Sequence, residues 1–89
     1  MPRHNDKDPV LAAMGRCIRQ QREHQKIAQE EFAALAGLDR SYYGGVERGE
    51  RNVSALNLVR IAVALGVEVG ALFPPLGDVT SPLSSDGTG

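Results

Sequence analysis

The sequence predicts an all-α fold: five short helices packed into one bundle over residues 8–73. Three observations carry that expectation. Apolar residues recur three and four apart, the spacing that lines one face of a helix. Each periodic stretch has a capping residue before it, or a glycine or proline after it. No stretch alternates polar and apolar as a half-buried strand would, and the β-branched residues are scattered at helical spacing.

Residues 1–7 are polar and lack periodicity, which predicts a flexible arm. Asp8-Pro9 starts the first helix, because Asp caps free amides and Pro suits the first helical position. That helix runs to about His24, with Val10, Leu11, Met14 and Ile18 as its apolar stripe. After the Ile27-Ala28 link, a second helix at Gln29–Ala36 buries Phe32, Ala33 and Ala36. Glu30 and Glu31 suit the positive end of its dipole. Ala28 supplies no capping side chain, a loss of ~1 kcal/mol. Gly37 ends the helix in the left-handed conformation.

Asp39 caps a third helix, Arg40–Glu47, with Tyr43 and Val46 inward; Gly49 closes it. Glu50–Val53 is a loop. Ser54 caps a fourth helix, Ala55–Leu65, with Leu56, Val59, Ile61, Ala62 and Leu65 at core spacing. Gly66 ends it, and Val67–Phe73 forms a short fifth helix stopped by Pro74-Pro75. Residues 74–89, rich in Gly, Ser, Thr, Asp and Pro, are expected to be a disordered tail.

Eighty-nine residues make one small domain. A core of this class buries only roughly 60% of its chain's surface, so stability rests on helix packing, with a second subunit able to help. No apolar run approaches the ~18–20 residues of a membrane span and no signal-peptide pattern opens the chain, so the expected location is the cytoplasm. Cys17 is alone, which excludes an internal disulfide and a thiolate zinc cluster and reads as a small buried apolar residue. His4 and His24 have no partners at metal spacing. No nucleophile–base set, phosphate loop or paired-carboxylate site stands out, so neither an enzyme nor a cofactor is expected. The net charge of −1 weighs against a nucleic-acid partner. Residues 16–60 nevertheless hold eight cations against six acids, a local excess of +2.

The run Gln29–Arg48, QEEFAALAGLDRSYYGGVER, carries the most information. Two helices that meet steeply need a small residue at the crossing, a sharp reversal and a shared apolar side. Ala33 supplies the first, Gly37 the second, and Phe32, Ala36, Leu38, Tyr43 and Val46 the third. Arg40, Ser41 and Tyr42 fall on the outer face of the second helix of the pair. That is the layout of a helix-turn-helix, whose second helix enters the DNA major groove.

From about Met14 to Phe73 the chain resembles the lambda-repressor-like, Cro/repressor (Xre) family. The matching pieces are IRQQR at 18–22, QEEFAALAGL at 29–38, SYYGGVERGERN at 41–52 and LVRIAVALGV at 58–67, in family order and spacing. LDRSYYGGVERGERN is similar to the corresponding stretch of restriction–modification controller proteins, which are small dimeric regulators. The resemblance implies a five-helix bundle that binds double-stranded DNA. This chain departs from the pattern at Ala28, where Ser or Thr is usual, and at Gln21, where Leu is typical. Gly44 and Gly45 weaken the third helix by roughly 0.5–1 kcal/mol each relative to Ala.

Arg40 is the principal candidate for base reading, because Arg bonds guanine O6 and N7 together; a phosphate contact or a solvated partner of Asp39 is its plainer reading. Ser41 suits a base or a thymine methyl. Tyr42 either meets DNA or packs against a neighbouring helix. Gly44 and Gly45 either let the backbone approach DNA or act as spacers. Arg48, Arg51 and Asn52 suit the sugar–phosphate rail. By resemblance, Gln29 bonds a phosphate and braces the recognition helix, and Arg22 and Glu47 form a partly buried ion pair joining the first helix to the end of the third.

One such domain touches only ~4–6 base pairs, too few for a specific site. A homodimer on an inverted repeat doubles the readout, with half-sites ~34 Å apart. Val67, Val69, Leu72 and Phe73, at the fourth and fifth helices, form the expected pairing surface, or else simply close the core. The leading expectation is a sequence-specific transcriptional regulator. The alternative is an antitoxin or other protein-interaction module on the same fold.

Overall fold

The computed structural model describes residues 8–75 and Gly77. Its elements are α1 (Pro9–His24), α2 (Gln29–Ala36), α3 (Arg40–Glu47), α4 (Ala55–Leu65) and a single turn of 3₁₀ helix at Val69–Leu72. The class is all-α, with no strand among the described residues. The caps are those the sequence supplies. The Asp8 carboxylate accepts from the Val10 amide at 2.8 Å, the Asp39 carboxylate from Tyr42 at 3.1 Å, and Ser54 Oγ from Asn57 at 3.1 Å. Ala28 leaves the start of α2 without a side-chain cap.

Among the described residues, twelve form the buried cluster, from Met14 and Ile18 of α1 through Phe32, Tyr43, Val46 and Ile61 to Leu72. Phe32 and Tyr43 meet as tilted rings with centroids 5.2 Å apart, an arrangement that favours aromatic edges over faces. The Tyr43 hydroxyl is buried without a hydrogen-bond partner. Burial, reinforced by the nearby Glu47 carboxylate, pushes this phenol well above its ordinary pKa.

Helices α1 and α3 cross at Gly15. A Cβ there would lie 2.4 Å from the Glu47 carbonyl oxygen and 2.5 Å from that of Val46. Gly49, in the left-handed region at φ 78°, brings the chain similarly close to Ala12. These two approaches press the end of the third helix against the first.

Three expectations need correction. The fifth element is a 3₁₀ turn rather than an α-helix. Val67 is spent closing α4 through a bond from its amide to the Ala62 carbonyl, and Pro74 disfavours helical geometry at Phe73. On α4, Leu58 joins Ile61, Ala62 and Leu65 in the core, while Leu56 and Val59 are exposed. Both faces of α4 carry apolar residues at helical spacing, so periodicity alone does not say which one turns inward. Cys17 is only partly buried.

Gln21 is explained by its partner: its Nε2 donates to the Ala71 carbonyl at 2.9 Å, tying α1 to the 3₁₀ turn. Pro74, expected in the tail, is buried. The expected arm at residues 1–7 and nearly all of the expected tail lie outside the described residues.

Candidate nucleic-acid interface

The turn between α2 and α3 forms as Gly37 adopts φ 73° and the Leu38 amide bonds back to the Ala33 carbonyl at 2.8 Å. Ala33 is 1% exposed, small enough for α3 to lie across it. Tyr43, Val46 and Glu47 are turned inward. Arg40 and Ser41 are exposed on α3, and Arg48, Arg51 and Asn52 are exposed just beyond it.

Arg40 pairs at 3.3 Å with Glu30, and both side chains are largely solvated. Arg48 pairs similarly with Glu50 at 3.2 Å. Exposed pairs of this kind contribute about 0–1 kcal/mol and exchange readily for another anion. Asp39, the partner considered for Arg40 from sequence, is instead engaged in capping.

Tyr42 is partly buried. Its hydroxyl accepts from Asn57 Nδ2 at 3.2 Å, and the Arg51 guanidinium stands 5.7 Å from its ring. The reading in which it packs against a neighbouring helix therefore holds in part, and Asn57 is a residue that sequence reasoning missed. Gly44 and Gly45 are covered by side chains rather than bare. Arg48 and Gln29 lie over Gly44, and Arg51 lies over Gly45 at 3.1–3.2 Å from where a Cβ would stand.

Beneath this surface is a buried polar knot. Arg22 donates from Nε to Glu47 Oε2 at 2.6 Å, from Nη2 to Glu47 Oε1 at 3.0 Å, and from Nη1 to the Ile27 carbonyl at 2.7 Å. Gln29 Nε2 donates to Glu47 Oε1 at 2.9 Å. The knot thus ties α1, the α1–α2 link, the start of α2 and the end of α3. Burial pushes the Glu47 carboxyl up, but the hydrogen bonds it accepts, that of Arg22 foremost, outweigh burial and hold it below its ordinary value. The same bond raises the Arg22 guanidinium. Gln29 is thereby bonded to the end of α3 through Glu47, and its amide nitrogen is engaged within the protein.

Among the described residues, no three of His, Cys, Asp and Glu are grouped to hold a metal ion, and no helix is long and apolar enough to cross a membrane.

A helix-turn-helix family model matches residues 18–72, the span from mid-α1 to the 3₁₀ turn. The chain belongs to the helix-turn-helix family. One relative of this helix-turn-helix protein is control protein C.MunI of a Mycoplasma species, 46% identical over 52 residues, covering 58% of this chain and 70% of the relative. The structure of this chain is similar to that of the restriction–modification controller protein C.AhdI from Aeromonas hydrophila, with 49% identity, TM-score 0.69, and coverage of 71% of this chain and 96% of that one. It is also similar to the biofilm master regulator SinR in complex with DNA, at 32% identity and TM-score 0.64, covering 66% of this chain and 95% of SinR.

Proposed function

We propose that this chain is a cytoplasmic, sequence-specific DNA-binding transcriptional regulator, a non-enzymatic homodimer that reads a short inverted repeat. One observation carries the reading: Arg40 and Ser41 stand exposed on a helix whose opposite face is locked to α1 through the Arg22–Glu47 pair. A rigid, outward helix edge with a cation at its start suits the major groove. The likeness to controller proteins and to a DNA-bound regulator supports it.

In this reading Arg40 exchanges Glu30 for guanine O6 and N7. Ser41 meets a neighbouring base, and Tyr42 lies at the groove edge, oriented by Asn57. Arg48, Arg51 and Asn52 follow the sugar–phosphate rail and set affinity and register. Gln29 acts through Glu47 and brings the amides at the start of α2 toward a phosphate. The arginines over Gly44 and Gly45 swing toward phosphates on binding, which leaves the helix backbone close to the groove floor.

Selection from random duplexes tests the reading. We expect the wild type to enrich a two-fold symmetric motif, and Arg40→Ala to lose a guanine preference within each half-site, worth ~1–3 kcal/mol of discrimination. Absence of any enriched motif at low salt sinks the assignment.

Pairing is best supported on α4. Leu56, Val59 and Val63 are 61%, 45% and 73% exposed and share one face, and Phe73 is 40% exposed at the 3₁₀ turn. Leu72, one of the residues expected to pair, is fully buried and closes the core instead, and Val67 and Val69 pack against that core. Val63→Glu is expected to sediment as a monomer and to lose on the order of a hundredfold in operator affinity, the avidity of a second half-site. A dimeric, tight-binding Val63→Glu would place the subunit interface elsewhere.

A further inference from the structure

A cleft of about 530 Å³ opens between α1 and the end of α3, lined by Ala12, Arg16, Arg19, Arg22, Gln29, Glu47 and Arg48. Four of those seven residues are arginines and one is an acid. Arg22 and Glu47 satisfy each other in its floor. The rim is different. Arg16 has no acid within ion-pair distance among the described residues, while Arg19 and Arg48 hold only the exposed carboxylates of Glu23 and Glu50. Arg16 and Arg19 are three apart on α1 and so project to the same side. Arg48 faces them from beyond α3, and it also lies over Gly44 on the outer surface of α3. Gln29, which also lines the cleft, lies over Gly44 as well, and Gly44 is one turn along α3 from Arg40 and Ser41.

Guanidinium groups from α1 and from the residue that follows α3, gathered over a charge-balanced floor, suit a phosphate, whose oxygens accept forked N–H pairs. Catalysis is not suggested, because the floor's donors and acceptors are already paired. We propose that this cleft seats a DNA backbone phosphate flanking the half-site, with Arg16 as its principal contact and Arg19 and Arg48 closing on it. The footprint then extends beyond the helix-turn-helix onto the first helix. This inference rests on the DNA-reading role above. The same chemistry would also take a free phosphate or a nucleotide, which the experiment separates.

The full chain, Arg16→Gln and the double variant Arg16→Gln/Arg19→Gln are titrated with the selected duplex and with an unrelated duplex over ~50–200 mM salt. Both arginines are exposed, and circular dichroism checks that the variants fold. Removing one phosphate neutralisation flattens the slope of log affinity against log salt by about 0.9. We expect Arg16→Gln to flatten it by about one such step, to weaken both duplexes alike, on the order of fivefold at low salt, and to leave the enriched motif unchanged. A neutral methylphosphonate at the flanking position should reproduce the loss in the wild type and add nothing in Arg16→Gln.

Wild-type binding with unchanged slope and affinity in both variants overturns this proposal and leaves the DNA-reading role standing. Failure of the wild type to bind any duplex overturns both. In a third arm, inorganic phosphate or ATP replaces chloride at constant ionic strength. Saturable binding of either that Arg16→Gln abolishes, with duplex binding unaltered, assigns the cleft to a free anion and overturns the backbone assignment.

Discussion

Glu47→Ala is expected to destabilise the domain by about 3–5 kcal/mol, the cost of stranding a buried Arg22 without its carboxylate. Glu47 accepts three of the four hydrogen bonds in the knot, and its side chain is only 2% exposed. Marginal domains hold only ~5–15 kcal/mol in all, so much of the chain should be unfolded at moderate temperature. Urea unfolding at neutral pH measures this directly. A loss under about 1 kcal/mol would show that the knot is not the joint between α1 and α3.

The same pair predicts an acid-labile stability. Free glutamate titrates near ~4.3, and the folded carboxyl is held lower. The folded state therefore binds fewer protons, and its advantage is complete above the unfolded value. It is lost as pH falls through the folded value. Glu47→Gln, which cannot ionise, should start less stable at neutral pH and lose less than the wild type below about pH 4. Parallel urea midpoints at neutral and acid pH test this. Equal losses in the two proteins would contradict it.

Gly15→Ala is expected to produce the second large effect. Alanine normally favours a helix interior by about 1 kcal/mol over glycine. Here the added methyl would stand 2.4–2.5 Å from two backbone carbonyls of α3, which cannot rotate aside as a flexible side chain can. Overpacking typically costs about 1–3 kcal/mol and occasionally more, and with rigid backbone on the far side we expect about 3 kcal/mol net loss. Gly70→Ala is the control, since a Cβ there meets nothing within 4 Å. Thermal unfolding of the two variants should separate them clearly. A neutral or stabilised Gly15→Ala would mean that α1 and α3 slide apart at little cost.

What could be read from the chain follows where local chemistry suffices. Caps at Asp8, Asp39 and Ser54, stops at Gly37 and Gly66, and the inward Phe32, Ala33, Tyr43 and Val46 are decided within a few residues, and all are observed. The Arg22–Glu47 pair was accessible only through resemblance, because its partners are 25 positions apart. Choices between two equivalent faces were not legible. On α4, Leu56 and Val59 look as inward as Leu58 until the rest of the bundle is placed against it. Side chains that fold back over a helix escaped in the same way. The lids that Arg48 and Arg51 form over Gly44 and Gly45, and the reach of Asn57 to Tyr42, depend on tertiary proximity. The cleft that gathers Arg16, Arg19 and Arg48 belongs to the same class, since it exists only once α1 and α3 have met.

The proposed function requires that the solvent-facing edge of α3 be the surface that touches DNA. Amide chemical-shift mapping of the isotope-labelled protein, titrated with the selected duplex, reports on that surface residue by residue. We expect the largest perturbations at Arg40, Ser41, Gly44, Gly45 and Arg48, with weaker ones at Gln29 and Arg51 and little change on the Leu56–Val59–Val63 face. Perturbations centred on that α4 face, with the amides of residues 40–48 unmoved, would contradict the proposed function.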